Sequence, residues 1–91
     1  MTRFLTATTR TALVADLFSA GFHFVNSEGE TRPPNLYEII TNGVGSAIYL
    51  GHIPIGDGYS PDFHANVTEC EGIVFETEQA APSVPYNVFD Q

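Results

Sequence analysis

Lysine is absent from this 91-residue sequence, and arginine occurs only as Arg3, Arg10 and Arg32. Beyond Arg32 the chain still carries eight carboxylates, which are Glu38, Asp57, Asp62, Glu69, Glu71, Glu76, Glu78 and Asp90. The charges of residues 1–32 cancel, so the net charge of −8 belongs to the rest of the chain. Such a surface repels nucleic acid and anionic membranes and attracts basic partners. We therefore expect protein partners, either neighbouring subunits or a basic protein surface, and no direct nucleic-acid or membrane binding.

Cysteine occurs once, as Cys70, and this excludes an internal disulfide. The first residues lack the apolar core of a signal peptide, and no segment approaches the roughly 18 apolar residues of a membrane span. These absences predict a soluble protein of a host cytoplasm or a virion that is not secreted through a signal peptide.

Charged residues make up 15% of the chain, well below the level of about 25% that is usual in globular domains. Without lysine, the solvated surface must be built from threonine, serine, asparagine and glycine. A low surface charge is typical of proteins that bury much of their exterior against other subunits. We therefore expect an oligomer or a component of an assembly.

What the sequence does contain predicts an α+β fold. Residues 1–79 are expected to form one compact domain, with a small antiparallel β-sheet of about five strands and two hairpins. One short N-terminal helix, capped by Thr9 or Thr11 and closed by Gly21, should pack on this sheet through apolar residues at helical spacing: Leu13, Val14, Leu17, Phe18 and Ala20. Residues 80–91 are expected to form an extended C-terminal arm.

Residues 36–42 allow two interpretations. Asn42–Gly43 is a strong hairpin signal, and a two-residue loop there would place four apolar residues on one face: Tyr37, Ile39, Val44 and Ile48. Alternatively, Asn35 and Glu38 have the spacing of a capping box at the start of a short helix. The β-branched and aromatic composition favours the hairpin.

Residues 63–78 alternate between apolar and polar, but one straight strand would place two glutamates on the apolar face. A three-residue loop of Cys70, Glu71 and Gly72 removes this conflict. It pairs Val67 with Phe75, and Gly72 then occupies the left-handed position that such loops need. The sequence predicts this second hairpin.

In that hairpin His64 lies opposite Glu78, and an acidic face is formed by Glu69, Glu71, Glu76 and Glu78. The face could imitate a row of phosphates, although a plain solvated surface explains it as well. Cys70 is expected to be exposed in the loop, and adjacent carboxylates should raise the pKa of its thiol.

No combination of residues indicates a catalytic, cofactor or metal site. His23, His52, His64 and Cys70 lack the paired short spacing of zinc ligands. No nucleophile is placed beside a histidine in a known motif, and the glycines do not form a phosphate-binding loop. We therefore expect a protein that is not an enzyme and that has no cofactor or metal.

The leading functional hypothesis is a non-enzymatic accessory or structural subunit of a larger assembly, such as a phage head or tail. Its expected contact residues lie in the arm, and they are Tyr86, Val88 and Phe89. The alternative is an acidic inhibitor of the anti-restriction, anti-CRISPR or immunity type, which would use the four glutamates of the acidic face. A third is a small enzyme or ligand-binding domain with residues 51–61 as its pocket wall.

Overall fold

The computed structural model describes residues 2–55 and 57–79. In chain order the elements are β1 (Thr2–Ala7), α1 (Arg10–Ser19), β2 (Phe24–Val25), β3 (Thr31–Arg32), β4 (Ile39–Thr41), β5 (Gly45–Gly51), β6 (Pro54–Ile55), β7 (Gly58–Tyr59), β8 (Phe63–Glu69) and β9 (Glu78–Gln79). Five strands form one antiparallel sheet in the order β4-β5-β8-β1-β9, while β2–β3 and β6–β7 form separate two-stranded ladders. The predicted α+β class is confirmed.

The predicted arm, residues 80–91, lies outside the described residues, together with its contact candidates Tyr86, Val88 and Phe89. Within the described ranges, the single helix is neither long nor apolar enough to cross a membrane.

Helix α1 begins and ends where the sequence predicts. The hydroxyl of Thr9 caps its N-terminus by accepting a hydrogen bond from the amide of Ala12 at 3.2 Å. After its end, Gly21 adopts a φ of +87°, a left-handed conformation that favours glycine. Leu13 and Leu17 are fully buried against the sheet. A ten-residue helix is stable only with such packing.

The core lies between α1 and one face of the sheet. Strand β8 is central, and its Ala65 is paired with Leu5 of β1 on one side and with Tyr49 of β5 on the other. The buried cluster consists of Leu5, Leu13, Leu17, Phe22, Ile40, Ala47, Tyr49, Ala65, Val67, Cys70 and Phe75. It draws on β1, α1, β4, β5, β8 and the segments that follow α1 and β8, so the sheet and the helix depend on each other for stability.

The hairpin predicted at Asn42–Gly43 exists, but its register differs from the prediction. Ile39 is paired with Ile48, two positions away from the predicted pairing. The Asn42 side chain accepts hydrogen bonds from the amides of Val44 and Gly45, at 2.8 and 3.1 Å. The two-residue loop therefore consists of Gly43 and Val44.

The face predicted to be apolar is not the one that packs in the core, although a shift of two residues leaves every side chain on its original face. Ile40, Ala47 and Tyr49 face the core, whereas Tyr37 and Ile39 are more than half exposed. The capping-box alternative is partly correct, since the Glu38 carboxylate accepts a hydrogen bond from the amide of Asn35 at 2.8 Å. A short turn therefore precedes strand β4, and the segment combines both interpretations.

The second predicted hairpin is wrong. Strand β8 exists as expected, but Val67 is paired with Arg3 and Ala47 and not with Phe75. β1 lies between β8 and β9 in the sheet. The reason is non-local: the N-terminal strand pairs with β8 and displaces the local partner that the alternation suggested.

The expected proximity of His64 and Glu78 is wrong for the same reason. Glu78 is paired with Leu5, and His64 with Thr6. Because neighbouring residues of a strand point to opposite faces, the two side chains lie on opposite faces of the sheet.

Arg3 binds the segment 70–78, which was predicted to form part of the second hairpin. Its guanidinium donates to the Glu78 carboxylate at 2.6 and 2.7 Å and to the carbonyl oxygens of Cys70 and Ile73 at 2.9 and 2.8 Å. It also lies 4.9 Å from the centre of the Phe75 ring. The planar fork of arginine makes all these contacts at once, which a lysine cannot do.

Cys70 is fully buried, so the expectation of an exposed thiol is wrong. Glu69 and Cys70 both have positive φ, at 67° and 54°, and this turns the thiol inward instead of along the strand. The pKa of the thiol is raised chiefly by burial, with a smaller contribution from Glu69 that Arg3 opposes. Gly72 has the left-handed φ that was predicted, +82°.

Candidate functional site

An open groove of about 500 Å³ lies where the ends of α1, β5 and β7 meet the turn before β4. Its walls are mostly aromatic and aliphatic, and the residues that shape it most are Arg10, Leu36, Tyr37, Tyr49, Tyr59 and Phe63. We call this feature the aromatic groove. Its size is in the range of small-molecule and peptide sites.

Leu36 and Tyr37 form one rim of the groove. Their side chains are 54% and 55% exposed. Tyr37 has a φ of +63°, an unfavourable conformation for a residue with a side chain, and its amide donates to the carbonyl oxygen of Tyr49 at 2.7 Å. The turn is anchored by the Glu38 carboxylate, which also pairs with Arg32 at 2.9 Å. The backbone therefore holds two large apolar side chains in solvent.

The floor of the groove is built by the end of strand β5. The pairing of β5 with β8 is irregular between Tyr49 and Gly51, and Gly51 has a φ of +64°. A Cβ atom at Gly51 would lie 2.9 Å from Cδ1 of Leu36. The exposed Leu36 side chain could shift to relieve this contact, so it is the positive φ that favours glycine here.

Tyr59 forms another part of the rim and is 72% exposed. Next to it, Nδ1 of His52 lies 2.9 Å and 3.1 Å from the carbonyl oxygens of Ser60 and Asp62, and it must carry the hydrogen because carbonyl oxygens only accept. The His52 ring packs 4.5 Å from the ring of Phe63. These contacts hold the rim; of the segment 51–61, Gly51, His52 and Tyr59 line the groove.

Arg10 is the charged residue of the groove. Its guanidinium lies 5.7 Å from the centre of the Tyr49 ring. In the described part of the chain, Arg3 and Arg32 are each paired with a glutamate, whereas Arg10 has no carboxylate within ion-pair distance. No described aspartate or glutamate lines the groove either. In a chain of net charge −8, the groove thus holds a positive charge that no described carboxylate pairs with.

A serine–histidine contact lies behind the groove, and the sequence analysis did not identify it. Oγ of Ser60 is 2.8 Å from Nε2 of His64, and it also accepts a hydrogen bond from the amide of Asp62 at 3.1 Å. Ser60 is only 8% exposed, and no described residue forms a hydrogen bond with the other ring nitrogen of His64. A hydrolytic nucleophile needs access to substrate and an oriented base, so this contact is best explained as closing the turn before β8.

The pKa of His64 is lowered, chiefly because the ring is partly buried. The nearby His52 lowers it further, while the carboxylate of Asp62 opposes the shift. This favours the neutral ring in the folded protein.

Among residues 2–55 and 57–79, no group of three or more histidine, cysteine, aspartate or glutamate side chains is arranged to hold a metal ion. The four glutamates predicted to form an acidic face are not on one hairpin. Glu69, Glu71 and Glu76 are exposed, but Glu78 is paired with Arg3, which lowers the pKa of its carboxyl group. The row of like charges that a phosphate mimic needs is therefore interrupted by a cation.

A second concavity, of about 440 Å³, lies along the β2–β3 hairpin. Its cation, Arg32, is already paired with Glu38 and stacks 4.4 Å from the centre of the Phe24 ring. The charge of Arg32 is thus balanced by a carboxylate of the same chain. In this respect the second concavity differs from the aromatic groove.

Comparisons with known proteins give no match. No protein-family model fits the chain, and neither a curated protein nor a solved structure matches it. The function must therefore be argued from the groove itself.

Proposed function

We propose that this protein is a non-enzymatic subunit that acts through protein–protein contacts and that the aromatic groove is its contact surface. The observation that carries the proposal is the exposure of Leu36, Tyr37 and Tyr59 around one groove. Contiguous exposed apolar surface of this kind is typical of interaction sites. Tyrosine is also among the residues that contribute most to binding energy at interfaces.

The groove is maintained at a cost in stability. A tyrosine with positive φ is a strained residue, and such strain persists where the surrounding structure fixes it. At Tyr37 the strain places the ring in solvent, where it contributes little to folding. Burial of a leucine or tyrosine side chain by a partner would contribute roughly 1.5–3 kcal/mol each before the costs of association.

A role as part of a larger assembly follows from the same surface and from the low charge of the chain. The serine–histidine contact does not support an enzyme, because the Ser60 hydroxyl is buried and accepts a hydrogen bond from the amide of Asp62. The acidic inhibitor finds less support, since Arg3 neutralises one of its four glutamates.

The proposal is tested by affinity purification from the native source, followed by mass spectrometry of the recovered proteins. The wild type is compared with the double variant Tyr37→Ser/Tyr59→Ser. The matched control is Val74→Ser, because Val74 is 88% exposed and does not line the groove. We expect a stoichiometric partner, or further copies of this chain, with the wild type and the control but not with the groove variant. Equal recovery with all three proteins would contradict the proposal.

A further inference from the structure

We infer that the aromatic groove binds an extended polypeptide segment of a partner protein in which an aromatic or aliphatic side chain lies next to a carboxylate. This inference rests on the proposed function and specifies the chemistry of the partner. It combines two properties of the site: its local charge and the unpaired edge of the neighbouring strand.

The charge of the groove selects for an anion. Arg10 lies against the Tyr49 ring and has no carboxylate partner among the described residues. Arginine binds a carboxylate through two parallel hydrogen bonds, which are stronger than bonds between neutral groups. No described carboxylate lines the groove, and the nearby Glu38 is already paired with Arg32. Arg10 is therefore the charged side chain that a segment bound in the groove meets. A lysine or arginine of the partner would meet repulsion at the same point.

The apolar part of the site selects for a large side chain beside that carboxylate. Leu36 and Tyr59 line the groove and are largely exposed, and the buried Tyr49 also lines it. A single charged group would leave these surfaces exposed. An aromatic or aliphatic side chain would bury them, and its neighbour along the partner segment would reach Arg10.

The extended conformation follows from strand β4, which is an edge of the five-stranded sheet. Asn42 and Gly45 form a hydrogen-bonded pair. Because hydrogen-bonded and non-bonded pairs alternate in antiparallel ladders, the backbone groups of Ile39 and Thr41 point away from β5. This edge carries no lysine or proline to block pairing. An incoming segment can therefore add to β4 as a strand, and β4 begins two residues after the rim residue Tyr37.

Selection from a random peptide library displayed on phage tests the inference. The purified wild-type protein is the bait, and Tyr59→Ser is used for counter-selection. We expect the recovered peptides to contain an aromatic or aliphatic residue adjacent to aspartate or glutamate. For a synthetic copy of the most frequent peptide, Arg10→Gln should weaken binding about tenfold or more. The control Glu76→Gln also changes the net charge by one unit, at an exposed position outside the groove, and should change binding less than threefold.

Replacement of the peptide carboxylate by its amide should weaken binding to the wild type as much as Arg10→Gln does. It should have little further effect on the Arg10→Gln variant, because the two changes remove one interaction. Peptides that need Tyr59 but show no preference for a carboxylate would overturn this inference and leave the proposed function standing. Recovery of no peptide that depends on Tyr59, or self-association as the sole Tyr59-dependent event, would overturn the inference of a partner segment. Circular dichroism of each variant establishes that it is folded.

Discussion

The carboxylate of Asp16, in the middle of α1, accepts hydrogen bonds from both the amide and the hydroxyl of Thr77, at 2.7 and 2.6 Å. The helix periodicity predicts that Asp16 faces solvent, yet this side chain is half-buried and connects residues 61 positions apart. It ties the segment before β9 to the helix. Arg3 fastens the same segment from the other side of the core.

Replacement of Asp16 by alanine should destabilise the protein by about 1–3 kcal/mol, because the Thr77 amide and hydroxyl lose a charged acceptor. Asp16→Asn should cost less, since its side-chain oxygen can still accept one bond. Chemical unfolding at pH 7 measures both. The control is Glu76→Gln, which alters an exposed carboxylate beside Thr77. Equal stability of Asp16→Ala and the control would show that the contact contributes nothing.

Gly45 should not tolerate alanine. A Cβ atom there would overlap the carbonyl oxygen of Thr68 and lie 2.8 Å from the sulfur of Cys70. We expect a loss of about 1–3 kcal/mol or more from such overpacking. Gly43→Ala, two residues away in the same hairpin, has no atom within 4 Å of the new Cβ and provides the control. Thermal unfolding should separate the two variants clearly, and similar melting temperatures would contradict the close packing at Gly45.

The stability of the protein should depend on His64 as the pH falls below neutral. The folded-state pKa of His64 is lowered by burial, so the unfolded chain takes up its proton at a higher pH, near 6.5. Stability from the neutral ring is present above that pH and is lost as the pH falls through it toward the folded-state pKa. We expect this decrease in the free energy of unfolding between pH 8 and pH 5.5 to be smaller in His64→Gln.

At pH 8 the ring is neutral in both states, so the difference between His64→Gln and the wild type there measures packing and the bond to Ser60. The informative quantity is the change in that difference with pH. A constant difference from pH 8 to pH 5.5 would rule out the linkage.

Cys70 should react with a thiol reagent only when the structure opens. The side chain is fully buried and the pKa of its thiol is raised, so both access and thiolate formation are suppressed. Reaction with Ellman's reagent at pH 8 should be slow in the folded protein and complete at once in guanidinium chloride. A native rate close to the denatured rate would show that the turn at 69–72 is open in solution.

Local patterns predicted the local structures correctly. The helix and its two ends follow from Thr9, the apolar spacing of Leu13 and Leu17, and Gly21, because capping and amphipathicity act within a few residues. The left-handed conformation of Gly72 was also predictable from its neighbours in the sequence. Strand β8 was also predictable, since alternation of side chains between two faces is a property of the strand itself.

The register of the strands was not predictable from these patterns. The alternation in β8 predicts that Val67 pairs with a strand that also presents apolar residues at every second position. Residues 73–77 have this pattern, and so do β5 and β1, so the local sequence does not select among them. The decision depends on which arrangement buries Leu5 and the helix together, and this is a property of the whole sheet. The two-residue shift at β4 has a similar origin, because the Asn42 side chain that shapes the loop also donates to the carbonyl oxygen of Ala20 at the end of α1.

The candidate site likewise depends partly on local sequence and partly on tertiary contacts. The sequence by itself determined the net charge, the single thiol, the capped helix and the strand-forming segments, because these are properties of composition and of neighbouring residues. Only the tertiary structure brought Arg10, Leu36 and Tyr59 to one groove, buried Cys70 and placed Thr77 against Asp16. Those contacts join distant parts of the chain, and their free energy depends on packing and desolvation that exist only once the sheet has formed.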